Sequence, residues 1–184
     1  LDKDIDRTKL ELQNLKSHIR STIDETRRMI YNLRPMSIDD LGLVPTLERL
    51  IDKVNDDLGF EIDFNVRLTK KYDPSTLEPV INLTLFRITQ EALNNVVKYS
   101  HATSVHIDLM FEDDSINLDV VDNGIGFVVS ELKLNLEDNK GFGISMMKER
   151  ANLLSSEMKI VSEIDKGTSI HIRVPLIDKE ESHE

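Results

Sequence analysis

The chain has no cysteine, so disulfide bonds and thiolate metal sites are both excluded. No apolar run is long enough to span a bilayer, and no signal-peptide pattern opens the sequence. Because the chain begins at Leu1, inside a strongly helical pattern, it reads as a piece of a longer protein, and the missing membrane segment says nothing of the rest. Positive charge is also short: 23 Lys and Arg face 34 Asp and Glu, a formal net charge of −11. That deficit argues against a nucleic-acid footprint, which needs a basic face, and against contact with an anionic membrane surface. An acidic protein that binds a nucleotide must do so through backbone dipoles, a few cations and a metal ion. Repeats and low-complexity segments are absent as well. What remains is an ordinary globular balance, 39% hydrophobic and 31% charged over 184 residues, which suits one domain with an appendage.

Residues 1–34 repeat every seven. One register holds Leu1, Thr8, Leu15, Thr22 and Met29, the other Ile5, Leu12, Ile19, Thr26 and Leu33; this is the a/d seam of a helix in a bundle or coiled coil. So narrow a seam needs partner helices, either the chain's own globular part or a second copy. Its length and its sharp end at Pro35 favour a homodimer. Residues 35–42 cluster Pro, Ser, Asp and Gly into a linker. Helical spacing returns over Leu43–Leu58 with Gly59 as its stop, and Phe60–Leu68 alternates as a strand. A long helix spans Glu78–Tyr99. Strands Val105–Met110 and Ile116–Val121 join through Asp113-Asp114. The polar stretch Val128–Lys140 lacks a period and reads as a mobile loop. A helix over Gly143–Ser156 follows, then strands Lys159–Ile164 and Thr168–Val174, joined by the hairpin signal Asp165-Lys166-Gly167. Residues 177–184 form a charged tail that frays. The expected class is α+β. A two-layer α/β sandwich over residues 43–176, its mixed but mainly antiparallel sheet covered by helices, follows a long α-helix.

Four short patterns could carry chemistry. On the long helix, Glu91, Asn95 and Lys98 lie at i, i+4 and i+7, along one stripe of an otherwise apolar element. Carboxylate and amide oxygens suit Mg²⁺ and the ammonium suits a phosphate, although a solvated polar stripe looks the same. Asp122-Asn123-Gly124-Ile125-Gly126-Phe127 follows a hydrophobic strand. It fits a plain turn, but no pairing strand follows, and its glycines let backbone approach a flat or anionic group. Asp122 there could accept a hydrogen bond from an exocyclic amine such as adenine N6. Gly141-Phe142-Gly143-Ile144 opens a helix, where N–H groups form an anion site; without Gly-Lys-Ser/Thr it is not a Walker loop. Last, the Thr168 hydroxyl enters a strand within reach of the Asp122 region, a place any β-branched residue also fits.

In this fixed order the four patterns resemble the Bergerat ATP-binding fold of the GHKL superfamily, shared by histidine kinases, type II topoisomerases, Hsp90 chaperones and MutL proteins. The Glu–Asn–Lys stripe looks like the N box, Asp122–Phe127 and Gly141–Ile144 like the two glycine boxes, and the polar loop between them like an ATP lid. Tyr31-Asn32-Leu33-Arg34-Pro35-Met36, Asp39-Asp40-Leu41-Gly42-Leu43, Gln90–Lys98 and Met147-Lys148-Glu149-Arg150 are similar to the DesK/NarL-partner class of sensor histidine kinases. The resemblance spans about residue 26 to Leu176, with the heptad helix as the second helix of the dimerisation domain.

That resemblance implies ATP and Mg²⁺ as ligands. Asp122 would hold the adenine amine, with Thr168 supporting it through a water. Gly124, Gly126, Gly141 and Gly143, with Phe142 and Ile144, would shape the pocket and lid hinges. Asn95 would bind Mg²⁺, Glu91 would polarise a Mg-bound water, and Lys98 would neutralise phosphate charge. The chemistry would be transfer of the γ-phosphoryl group to a histidine, then to the aspartate of a NarL/DegU-like response regulator, on the cytoplasmic side. The acceptor should sit on the preceding helix before an acid. His18 lies on the stalk but precedes Ile19, His101, His106 and His171 fall in the globular part, and His183 precedes Glu184 in the tail. The acceptor is therefore expected outside this chain, which alone would not autophosphorylate. Two alternatives stay open: a hydrolysing ATPase of the same fold, or an interaction module that has lost its nucleotide. An anti-sigma-factor kinase would not need the stalk.

Overall fold

The computed structural model describes Lys16, which is helical and exposed, and residues 36–69, 77–131 and 141–176. The heptad seam, residues 132–140 of the polar loop and the tail at 177–184 lie outside the described residues. The chain divides into two units, Leu1–Met36 and Ser37–Glu184. Along the chain the elements are α1 (Met36–Leu41), α2 (Leu43–Leu58), β1 (Asp63–Leu68), α3 (Pro79–Asn95), a π-helical turn (Val96–Ser100), β2 (Val105–Phe111) and β3 (Ser115–Asp122). They continue with a 3-10 turn (Val129–Glu131), α4 (Phe142–Leu153), β4 (Glu157–Glu163) and β5 (Gly167–Pro175).

Strict alternation in the strands separates the two faces of the sheet. Val105, Ile107, Leu109 and Phe111 of β2 are buried, as are Ile116, Leu118 and Val120 of β3 and Ile170, Ile172 and Val174 of β5. They join one core with Leu47 and Ile51 of α2, Leu85, Ile88 and Leu93 of α3, and Met147 and Ala151 of α4. Fully burying one such large apolar side chain contributes about 1.5–3 kcal/mol. Strand order is β1-β2-β3-β5-β4. β1 runs parallel to β2, with α3 in the crossover between them, and every other pair is antiparallel. The expected α+β class, with a mainly antiparallel sheet under helices, is what the chain adopts.

Several boundaries depart from the sequence reading. The linker expected at 35–42 contains a helical turn, with Ile38 buried in the core and Gly42 turning at φ 80°. The strand expected from Phe60 begins at Asp63, because the Asn55 side chain takes the Ile62 N–H at 3.0 Å before strand pairing starts. Leu68, at the end of β1, is 52% exposed. The long helix stops being α-helical at Asn95 and widens into the π turn, which the Ser100 hydroxyl closes onto the Val96 carbonyl at 2.9 Å. The helix expected over Gly143–Ser156 runs Phe142–Leu153, ending where Ser155 turns left-handed at φ 52°.

The second sheet face is polar. His106 bridges two carboxylates, Asp63 at 2.8 Å and Asp108 at 2.7 Å, and His171 pairs with Asp119 at 2.8 Å. The hydrogen bond to Asp108, then that to Asp63, raises the His106 pKa above its ordinary 6.5. A raised imidazole pKa gives stability that is complete below 6.5 and fades as pH rises through the folded value. Replacing His106 with Gln is therefore expected to lower the urea midpoint at about pH 5.5 and to leave it nearly unchanged at about pH 9. The acid-side loss should be about 0.5–1 kcal/mol, the scale of an exposed ion pair. An equal loss at both pH values would contradict the assignment.

Candidate functional site

The buried face of the sheet is apolar along its length except at one end. There the pairing register aligns Asp122 of β3 with Thr168 of β5, and Thr168 with Ser162 of β4. Three adjacent strands thus replace core hydrocarbon with a carboxylate and two hydroxyls. Asp122 is 8% exposed, and burial raises its carboxyl pKa against backbone N–H groups of Gly124 and Thr168 that favour the charged form. The Gly124 N–H reaches Asp122 Oδ1 at 2.8 Å.

Close backbone packing explains the glycines around this carboxylate. A Cβ on Gly167, at φ +83°, would run into the Asp122 carbonyl, and one on Gly124 would meet Ser100 and the Asp122 carboxylate. Gly126 lies against the Glu163 carbonyl of the β4–β5 hairpin. Hydrogen bonds hold the loop on both sides: Ile125 N–H donates to Ser100 O at 2.8 Å, and Asp165 N–H to Ile125 O at 2.8 Å. Asn123 is structural. Its side chain accepts the Thr103 and Ser104 N–H groups, both at 2.9 Å, and keeps that turn closed.

In the last turns of α3, Glu91 and Asn95 are half-buried, and Lys98 is exposed in the π turn. The helix N-terminus of α4 comes up against Glu91, so that a Cβ on Gly143 would overlap its carboxylate. Burial raises the Glu91 pKa, and the charges of Lys98 and Arg150 pull it back. Gly141 caps α4 at φ 103°. Phe142 is 41% exposed, whereas Ile144 is partly buried and packs against the core. The stripe and the second glycine motif, separated in sequence, therefore meet at Glu91 and Gly143. Two participants were not singled out in the sequence, Ser162 and Ser100, which anchor the loops. Arg150, seen there only as part of a motif, lies close enough to Glu91 for its charge to act on it. Strand alternation does place Ser162 on the buried face, and that was the available clue.

For a divalent ion the donors fit in kind. Glu91 and Asn95 offer hard oxygens one helical turn apart, and Gly143 lets the start of α4 pack against the Glu91 carboxylate. Among the described residues no three His, Cys, Asp or Glu side chains form a metal site. Phosphate oxygens and water would have to complete the shell, as suits Mg²⁺.

Comparison with known proteins agrees with this arrangement. The family model described as "Histidine kinase-, DNA gyrase B-, and HSP90-like ATPase" matches residues 81–178. The chain belongs to that ATPase family. The matched span runs from α3 to the end of β5, and so holds every residue of the site. Among curated proteins the domain is similar to the signal transduction histidine-protein kinase/phosphatase DegS of Brevibacillus brevis. Identity is 35% over 97% of this chain and 44% of that protein. The DegS of Bacillus subtilis (strain 168) is 38% identical over 90% of this chain and 42% of its own length. The chain thus spans less than half the length of these relatives. Among solved structures, the histidine kinase AdeS of Acinetobacter baumannii shares the fold with a TM-score of 0.56 and 14% identity, over 89% of this chain and 85% of that one.

Because burial is the largest influence on Glu91, its charge costs the folded state stability at neutral pH and above. Glu91→Gln is expected to raise the melting temperature at about pH 8. The gap should narrow as pH falls and the native carboxylate takes up its proton. Melts that show the variant less stable at about pH 8 would mean that the attractions of Lys98 and Arg150 outweigh burial.

Proposed function

We propose that this chain is the ATP-binding catalytic portion of a two-component sensor histidine kinase. It would transfer the γ-phosphoryl group of Mg-ATP to a histidine outside this chain, for relay to the aspartate of a NarL/DegU-like response regulator. The observation that carries the nucleotide reading is the buried, backbone-held carboxylate of Asp122 at the polar end of the sheet. In an acidic chain such a group has little use for a phosphate, whereas it matches an exocyclic amine donor. The glycines at 124 and 126 let a flat base approach backbone there, and Thr168 stands next to it in register.

The phosphates then run toward α3 and α4. Asn95 and Glu91 supply oxygens for Mg²⁺, directly or through water, and Lys98, exposed on the π turn, offsets phosphate charge. Mg²⁺, when bound, neutralises and orients the phosphates. Gly141 and Gly143 leave the N–H groups at the start of α4 open to an anion. Positioning and charge stabilisation supply most of the rate in phosphoryl transfer. Removing one such contact typically costs about 3–4 kcal/mol in the transition state. The two named relatives are histidine kinases, which supports assigning a histidine as acceptor. The residues 1–34 are read as the second helix of a homodimerisation domain, on the cytoplasmic side of the parent protein.

Calorimetric titration with Mg-ATP tests the reading. Saturable binding that requires Mg²⁺ is expected, and Asp122→Asn should weaken it about 10- to 100-fold, since a bond to a charged acceptor is worth about 1.5–3 kcal/mol. No binding at millimolar nucleotide, or full affinity in the Asn variant, would overturn it.

A further inference from the structure

Ser162 of the edge strand β4 makes three hydrogen bonds through one hydroxyl. The Phe127 N–H lies 2.9 Å from its Oγ, the Gly167 carbonyl 3.0 Å, and the Thr168 hydroxyl 3.0 Å. A hydroxyl has one proton and two lone pairs. The Gly167 carbonyl can only accept, so the Ser162 proton goes there. The Phe127 N–H can only donate, so it takes one lone pair. All three contacts are satisfied in one arrangement alone, with the Thr168 hydroxyl donating its proton to the remaining lone pair. Thr168 is flanked in register by Ser162 on one side and Asp122 on the other. Its proton is thus committed toward β4, and its lone pairs are left facing β3. The polar end of the sheet then presents acceptors: the Asp122 carboxylate and the Thr168 oxygen.

We infer that Ser162 is a positioning residue for base selectivity, because it holds the Thr168 hydroxyl as a hydrogen-bond acceptor beside Asp122. The inference rests on the nucleotide reading given above. A base with an exocyclic amine donates to this end of the site, directly or through a water, while a base lacking that amine leaves the acceptors unpaired. The same Ser162 oxygen anchors the first amide after Gly126, which ties base recognition to the loop that leads toward residues 132–140. Released from Ser162, Thr168 could rotate its proton toward Asp122 and compete with the amine for the carboxylate.

The test is calorimetric titration of the chain with the Mg²⁺ complexes of ATP and of purine riboside triphosphate, which lacks only the 6-amino group. The affinity ratio of the two is the readout, because general loosening of the fold weakens both alike. Ser162→Ala is expected to lower the ratio about three- to tenfold, the scale of one hydrogen bond. In a Thr168→Val background, the same change should leave the ratio where Thr168→Val alone puts it. Ser162→Cys, nearly isosteric and a weak donor, should shift the ratio in the same direction and serves if the Ala variant does not fold. An unchanged ratio in either variant, equal weakening of both nucleotides, or a further fall in the Val background overturns the inference with the nucleotide site intact. Binding of neither nucleotide by the unsubstituted chain overturns the nucleotide reading and this inference with it.

Discussion

A carboxylate stands where an apolar sheet face would otherwise continue, and much of the local structure follows from keeping it there. Burying Asp122 without partners would cost several kcal/mol or force it to take up a proton. The fold meets that cost with backbone donors, drawing the chain at Gly124 and Thr168 close around the side chain. Such closeness leaves no room for side chains, so Gly124 and Gly167 are bare where a Cβ would collide. The loop after β3 is then fastened on one side to Ser100 and on the other to the β4–β5 hairpin. Gly124 makes room for the carboxylate itself, and Gly167 and Gly126 for the backbone that closes around it.

The same loop couples the two ends of the site. Ser100 closes the π turn at the end of α3 and also receives the Ile125 amide. A shift of α3 therefore moves the face bearing Glu91 and Asn95 together with the backbone beside Asp122. On the far side, Glu91 lies against Gly143 at the start of α4. The Asp122 end of the sheet, the face of α3 that carries Glu91 and Asn95, and the second glycine motif are thus held in one frame. Phosphoryl transfer, which depends on positioning more than on covalent participation, needs a frame of this kind.

Much of this was legible in the sequence, for definite reasons. The turns at Asp113-Asp114 and Asp165-Lys166-Gly167 marked the strand pairs β2–β3 and β4–β5, since these depend on nearby residues. The order of the four motifs was legible because each keeps its own chemistry even when it is weak alone. Contacts between distant segments were not. The meeting of Glu91 with Gly143, and the role of Ser162, depend on which strands and helices become neighbours. The π turn at Val96–Ser100 falls in a sequence that reads as plain α-helix, with no breaker residue to mark it. Ile144, grouped with the glycine motif by adjacency, is partly buried against the core, a contact that depends on how α4 packs.

The claim on which the rest depends is that the ionised Asp122 carboxylate receives the base. Carbon-detected NMR of the aspartate carboxyl groups, with Asp122→Asn for assignment, reads its titration directly with and without saturating ADP. In the free protein Asp122 should titrate above the ordinary 3.8, because burial dominates. An amine that donates to the carboxylate favours its charged form, so ADP should draw that titration downward. A midpoint that ADP leaves in place would show that the base binds elsewhere and would contradict the account.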